Sequence, residues 1–446
     1  MRYHAHILVG DPDAAVAHEI VEYLNDIGYK AYQVSDTNSL IGLAKSLLPD
    51  LIIMGNFDNQ GTLDIAEELR ADIDTKTVPI FLYNCDGEAH SRKRIIAIGV
   101  EDMVEAPLTQ ELMATRLPLL TRLSTMMGEL ELRVETTQSF GSDITYAGYN
   151  RFGDSRFRIM VVAESSAAEA DIQAALLKRN IDTLMENNAY KAGDRLDSER
   201  CEACVITLRP DDDKERALYL CSHIRNNPRL FNLPVLVIAS EGIYVDEEEI
   251  YKSGANIALI DNRDLDLIGT YIEILVGRQR ARWSMRDPFV KTLNSNTSGD
   301  LKGVYSRDFF NLHLERAVNH SQLRQGYMSL CVFSIQNAPD ILERFGMEAH
   351  EVLLQQMADW IRGLLRIEDL PARIDTHDFA VILTGSKLMD ASAVCHRIAG
   401  ILHHSEFHLT EEIMEVIKVW VQVGVEEIND DDNASSLLQR TYGSLF

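Results

Sequence analysis

Short apolar runs and helix-patterned segments alternate through residues 6–107, and the same alternation returns about 150 residues later. HILVG (6–10) precedes a helical pattern at 14–27, and DLIIM (50–54) precedes one at 62–71. VPIFLYN (78–84) leads to 88–98, and DMVEAP (102–107) leads to a helix from 109 onward. In the second round FRIMVVAE (157–164), ACVITLRP (203–210), LPVLVIAS (233–240) and ANIALID (255–261) stand at the corresponding places. Apolar runs of this length, each followed by a helix, are strands buried on both faces. They predict a parallel sheet with helices on both sides, built twice by internal duplication.

The repeat sets the domain boundaries. The first unit is expected over 1–139, its last helix extending through STMMGELELRVETTQS (124–139), with a linker at 140–156. The second unit is expected over 157–284. A linker at 285–298 follows, and a third domain of different plan fills 299–446. Such a chain, 446 residues long, can bury full cores without disulfides. Its six cysteines are therefore expected to be free, and Cys201–Cys204 is read as a buried pair, since no second pair of ligands stands nearby. The balance of 43 Lys and Arg against 69 Asp and Glu gives a net charge of −26. That excludes DNA binding and anionic membrane surfaces, which need a cationic footprint. No apolar run approaches the roughly 18 residues of a membrane helix, so no membrane insertion is expected. The opening MRYHAHILVGD lacks a signal-peptide core, and the expected location is cytoplasmic.

Strand 1 of the first unit ends in Asp11-Pro12-Asp13. A five-stranded βα unit of this kind resembles the receiver domain of two-component signalling, which implies a flavodoxin-like fold. In that family a carboxylate cluster holds Mg²⁺ and an Asp after strand 3 takes the phosphoryl group. A hydroxyl and a Lys then position that group. Here Gly55 stands at the phosphoacceptor position, Asn84 at the hydroxyl and Ala106, followed by Pro107, at the Lys. A register shifted by three would offer Asp58 instead. The second unit has Ala163 and Glu164 at the acid pair, Leu208 at the phosphoacceptor, Ala239 at the hydroxyl and Asp261 at the Lys. The triplet Asp211-Asp212-Asp213 reads as a solvated loop. Both units are expected to serve as surfaces for dimerisation or partner docking, an expectation that rests on the fold.

The third domain opens with Gly299-Asp-Leu-Lys-Gly-Val-Tyr-Ser-Arg-Asp-Phe-Phe310, continues with MSLCVFSIQNAPDILERFG (328–346) and contains LPARIDTHDFAVIL (370–383). These segments resemble a GGDEF domain. Cyclases of that family bind Mg²⁺ through carboxylates and admit GTP over a glycine hairpin. This chain has Ser334 and Gln336 at the metal-loop acids, Asp375 and Thr376 at the two glycines, and His377 at the first acid. Only Asp378 and Phe379 of the signature remain, and Leu342 replaces the guanine-reading Asn while Glu351 replaces its carboxylate partner conservatively. No catalytic residue, metal ligand or cofactor is expected. His377, and the His403, His404 and His408 cluster, read as surface.

One family element is intact. Arg366-Ile367-Glu368-Asp369 sits five residues before Asp375, where the family often carries an R-x-x-D site for cyclic di-GMP. The spacing alone is common: Arg151–Asp154, Arg209–Asp212 and Arg263–Asp266 are among those that share it, so position gives this copy its meaning. The resemblance also implies a second arginine eighteen residues past Phe379, which is Arg397. A guanidinium can fork onto guanine O6 and N7 or onto a phosphate, and a carboxylate accepts from guanine N1–H and N2–H₂. The alternative for these residues is a helix-end salt bridge between Arg366 and Asp369, with Arg397 solvated.

As a whole the chain resembles the receiver–receiver–GGDEF regulators of alphaproteobacterial cell cycles. That resemblance implies a cyclic di-GMP effector acting as a homodimer and an adaptor. It further implies an RcdA-like partner, indirect links to the ClpXP protease and CtrA, and recruitment to a cell pole. A ligand-independent scaffold with a relic site and an active diguanylate cyclase are the alternatives.

Overall fold

The computed structural model describes residues 2–57, 59–145, 156–163, 166–209, 213–227, 229–240, 246–261, 264–409, 413 and 415–446. The chain divides into two compact units. One holds His6–Ser124 and Gly148–Ser284, and the other holds Met1–Ala5, Thr125–Ala147 and Met285–Phe446.

The first unit contains the duplicated sheets. Its first half runs β1 (His6–Gly10), α1 (Ala14–Asp26), β2 (Lys30–Val34), α2 (Thr37–Leu47), β3 (Leu51–Met54) and α3 (Asn59–Ala71). It continues with β4 (Ile80–Leu82), α4 (Ala89–Ile98), β5 (Asp102–Met103) and α5 (Gln110–Ser139). The strands pair in parallel in the order β2-β1-β3-β4-β5, the flavodoxin-like winding. Every residue of β1 and β3 is buried, as strands covered by helices on both faces require. Asp13 caps α1 through the Ala15 N–H and Asp36 caps α2 through the Ser39 N–H, which fixes where those helices start.

The second half repeats the plan with β6 (Phe157–Val162), α6 (Ser166–Lys178), β7 (Ile181–Glu186), α7 (Ala189–Ser198) and β8 (Ala203–Leu208). It ends with α8 (Lys214–Asn226), β9 (Val235–Ala239), α9 (Glu247–Lys252), β10 (Ile257–Ile260) and α10 (Leu265–Thr292). Its order β10-β9-β8-β6-β7 is the same parallel winding. Helix α10 runs through Met285 to Thr292, into the stretch read from sequence as a linker.

The third domain comprises α11 (Arg307–Arg324), β11 (Met328–Ile335), α12 (Ala338–Leu364), β12 (Leu370–Arg373), β13 (Asp378–Thr384), α13 (Leu388–His404), β14 (Val421–Glu427) and α14 (Ala434–Gly443). Its sheet is antiparallel, in the order β12-β13-β11-β14. Alternate residues of β11 serve two cores. Cys331 and Phe333 pack with Leu353, Met357 and Ile398 of α12 and α13, whereas Leu330 and Val332 pack with Phe310, Leu314 and Leu437 of α11 and α14.

Candidate functional site

In the first parallel sheet the strand ends converge on Asp11, Gly55 and Tyr83. Asp11 is buried, its Oδ2 accepts from the Tyr83 hydroxyl and its Oδ1 from the Asp13 N–H at 2.7 Å. A Cβ added at Gly55 would overlap Asp11 Oδ2 and come within 2.9 Å of Tyr83 Cζ. The volume a phosphoacceptor side chain would need is therefore filled by the Asp11–Tyr83 pair. Burial, with Asp11 alongside, pushes the Tyr83 hydroxyl far above its ordinary range, so it stays a donor to that carboxylate. Asn84 has left-handed backbone (φ 52°), and its N–H bonds the Ala106 carbonyl at 3.2 Å. In the second sheet Ala163, Leu208 and Ala239 are buried apolar groups, and Asp261 is exposed in left-handed backbone (φ 54°). Asp58, Glu164, Asp211 and Asp212 lie outside the described residues, and Asp213 caps α8.

The hairpin between β12 and β13 holds the altered signature, and its polar groups bond one another. Asp378 accepts from the Ser334 hydroxyl at 2.7 Å through Oδ1 and from the Tyr442 hydroxyl at 2.9 Å through Oδ2. Gln336 Nε2 in turn donates to Ser334 Oγ at 3.0 Å. Asp375 is exposed and accepts from the Thr376 N–H at 2.7 Å. Arg373 reaches Glu351 at 3.4 Å and donates to the Thr376 carbonyl at 3.1 Å. His377 Nδ1 lies 3.2 Å from His350 Nε2, and Leu342 is half-buried. Each remaining carboxylate is thus engaged by a hydroxyl, a backbone N–H or a guanidinium.

Arg366–Asp369 forms a tight turn between α12 and β12. The Arg366 N–H donates to Asp369 Oδ2 at 2.9 Å, and the Asp369 N–H donates to the Arg366 carbonyl at 3.2 Å. Asp369 is 5% exposed. Burial, reinforced by the neighbouring Glu368, pushes its carboxyl up to about 7 against the lowering effect of the Arg366 N–H and of Arg366 and Arg133. The Arg366 side chain is exposed. Arg397 is also exposed, on α13, and among the described residues neither guanidinium makes a hydrogen bond or ion pair. The turn joins Arg366 to Asp369 through the backbone, while Arg397 bonds to neither. A helix-end salt bridge between the Arg366 and Asp369 side chains is not what holds this turn.

Sequence reasoning missed what lies beneath the turn. Arg133 of α5 is buried and donates to the Glu368 carbonyl at 2.7 Å and the Ile367 carbonyl at 3.3 Å. Its other bonds go to Glu129 Oε1, at 2.8 and 2.6 Å. The only advance signal was the i,i+4 Glu–Arg spacing on a long helix, which ordinarily marks a solvated pair.

The remaining sequence candidates stand apart from this site. Cys201 and Cys204 are buried free thiols, and burial pushes Cys201 up to about 11. His403, His404 and His408 are exposed. Asp266 pairs with Arg179, and Arg263, Asp212 and Arg151–Asp154 lie outside the described residues. Among the described residues, no helix is long and apolar enough to cross a membrane.

Comparison with known proteins follows the same division. Residues 299–442 match the diguanylate cyclase GGDEF domain family. Over 444 residues, 98% of this chain and 95% of that protein, the sequence is 22% identical to the response regulator PleD of Caulobacter vibrioides. A segment of 109 residues, 24% of this chain and 36% of that protein, is 30% identical to the diguanylate cyclase DgcS of Shewanella oneidensis. Among solved structures, the GGDEF domain of DgcB from Caulobacter crescentus in complex with c-di-GMP aligns at a TM-score of 0.32 and 16% identity, covering 34% of this chain and 87% of that one. The two flavodoxin-like sheets, the family match over 299–442 and the end-to-end similarity to PleD together support a receiver–receiver–GGDEF architecture.

Proposed function

We propose that this protein is an effector of cyclic di-GMP. It binds the dinucleotide at Arg366, Asp369 and Arg397 and does not synthesise it. The observation that carries the reading is the preformed turn itself. It holds a buried carboxylate acceptor three residues from an exposed guanidinium that has no protein partner among the described residues. Guanine offers the matching donors on its N1 and N2 edge, and the phosphates match the two arginines.

The absence of turnover is read from the hairpin. Serine and glutamine in the metal loop, an aspartate where phosphates would approach and an Asp378 already held by two hydroxyls leave no set of carboxylates for Mg²⁺. Within the architecture, these losses match an adaptor of the PopA kind. On that reading the receiver-like halves support homodimerisation and recruitment of an RcdA-like adaptor. The output is delivery of CtrA to ClpXP at a cell pole.

Calorimetric titration with cyclic di-GMP tests the effector reading. The wild type is expected to bind, and Arg366→Ala should weaken binding roughly ten- to hundred-fold, the worth of a charged hydrogen bond. No heat from the wild type at tens of micromolar ends the proposal. Incubation with GTP and Mg²⁺ should yield no cyclic di-GMP.

A further inference from the structure

We infer that Arg133 is a positioning residue of the dinucleotide site, and that occupancy of the site is coupled to order in the second half of α5. The inference rests on the cyclic di-GMP reading of the Arg366–Asp369 turn.

The turn consists of four residues, and its two central carbonyls are both held from one side by a single guanidinium. Arg133 takes the Ile367 carbonyl through Nη1 and the Glu368 carbonyl through Nη2. This fixes the peptide planes between the two residues that would face the ligand. The guanidinium is itself over-determined. Nε and Nη2 fork onto Glu129 Oε1, and its plane lies over the rings of Phe289 at 4.7 Å and Tyr305 at 5.7 Å. Glu129 Oε2 accepts from the Thr384 hydroxyl at 3.2 Å, His313 Nε2 approaches Oε1 to 3.2 Å, and His313 Nδ1 lies 3.0 Å from Thr136 Oγ1.

An ion pair this deeply buried is a poor device for stability, because desolvation cancels much of the attraction and apolar residues would serve as well. What apolar residues could not do is hold two successive carbonyls in register. A planar fork with five donors does that, and a lysine ammonium does not. Release of this grip would free the turn to change conformation, dispersing Arg366 and Asp369. Binding is reciprocal with ordering: if the grip on the turn strengthens affinity, the ligand must strengthen the grip. The partner that feels it is α5, through Glu129 and Arg133, one turn apart on the same helix.

The test uses the full-length protein and cyclic di-GMP, with affinity and amide hydrogen exchange read on the same samples. Ligand is expected to slow exchange in residues 129–139 of the wild type as well as in 366–369. Arg133→Met should weaken binding about tenfold or more at a temperature where it is folded by circular dichroism, within the usual span of coupling between sites. Arg133→Lys should recover only part of the loss. Wild-type binding with no change of exchange in 129–139 overturns the inference, whether or not Arg133→Met folds. So does a folded Arg133→Met that binds like the wild type. Failure of the wild type to bind is the separate result that removes the reading of the site, and this inference with it.

Discussion

On the proposed reading, Asp369 would serve two ends that oppose each other. To accept from guanine it must be ionised, yet its burial beside Glu368 pushes its carboxyl up to about 7, with Arg366 and Arg133 only partly offsetting the cost. Because its folded value lies above its unfolded one, the stability it contributes is full below about pH 4. That contribution is lost as pH rises through about 7. Ligand affinity has the opposite slope: it should improve about tenfold between pH 6 and pH 8 and flatten above, as the carboxylate fraction rises. Asp369→Asn should gain on the order of 1–3 kcal/mol of stability at pH 8 while losing cyclic di-GMP and the pH dependence of binding. Denaturant titration and calorimetry at three pH values check both halves; a pH-independent affinity in the wild type would show that this carboxylate does not touch the ligand. Arg366 and Asp369 were readable in the sequence only through their distance from LPARIDTHDF, since the same spacing occurs four times elsewhere, Arg179–Asp182 included. Arg133 was unreadable for a plain reason. Its carbonyl partners lie 234 and 235 residues further along the chain.

The elements that sequence reading caught are those buried on both faces. β1, β3 and β8 are continuous apolar runs and were legible as strands, whereas β2 (KAYQV) and β7 (IDTLME) are sheet edges, mostly half-exposed, with polar residues interleaved. An apolar-run criterion passes over such strands, and only the expectation of a five-stranded unit supplies them. Helix α12 makes a sharper case. Its sequence APDILERFG reads as a helix ending at Phe345-Gly346, and Gly346 does break the helix, at φ 84° and ψ 176°, before helical backbone resumes toward Leu364. Only glycine holds that conformation cheaply. No atom lies within 4 Å of a Cβ added there, so Gly346→Ala isolates the backbone cost from packing. It should destabilise the third domain by about 1–3 kcal/mol in urea titration. Unchanged stability would mean that the segment runs as one uninterrupted helix.

At the scale of the two receiver-like halves, their last strands and helices meet within the chain. Asp102 of β5 accepts from Arg116 of α5 at 2.6 Å and from Arg278 of α10 at 3.2 Å, all three buried, while Arg92 of α4 pairs with Glu105 and with Asp264, each at 2.6 Å. This face is therefore covered within the chain. The arrangement was hidden because charged residues read as solvated in a sequence, and Asp102 and Arg278 are 176 residues apart. One carboxylate holding two buried guanidiniums gives a specific prediction. Asp102→Ala strands two like charges away from water, and removing one partner of a buried pair costs about 3–5 kcal/mol. Replacing all three (Asp102→Leu, Arg116→Met, Arg278→Met) removes the charges together and should recover most of that loss. Calorimetry on the full-length protein should show the transition of the unit formed by His6–Ser124 and Gly148–Ser284 shifted sharply down in the single variant and restored in the triple. A single variant that melts like the wild type would mean that water reaches Asp102, and that contacts such as Tyr271 under the Arg116 guanidinium join the halves without this carboxylate.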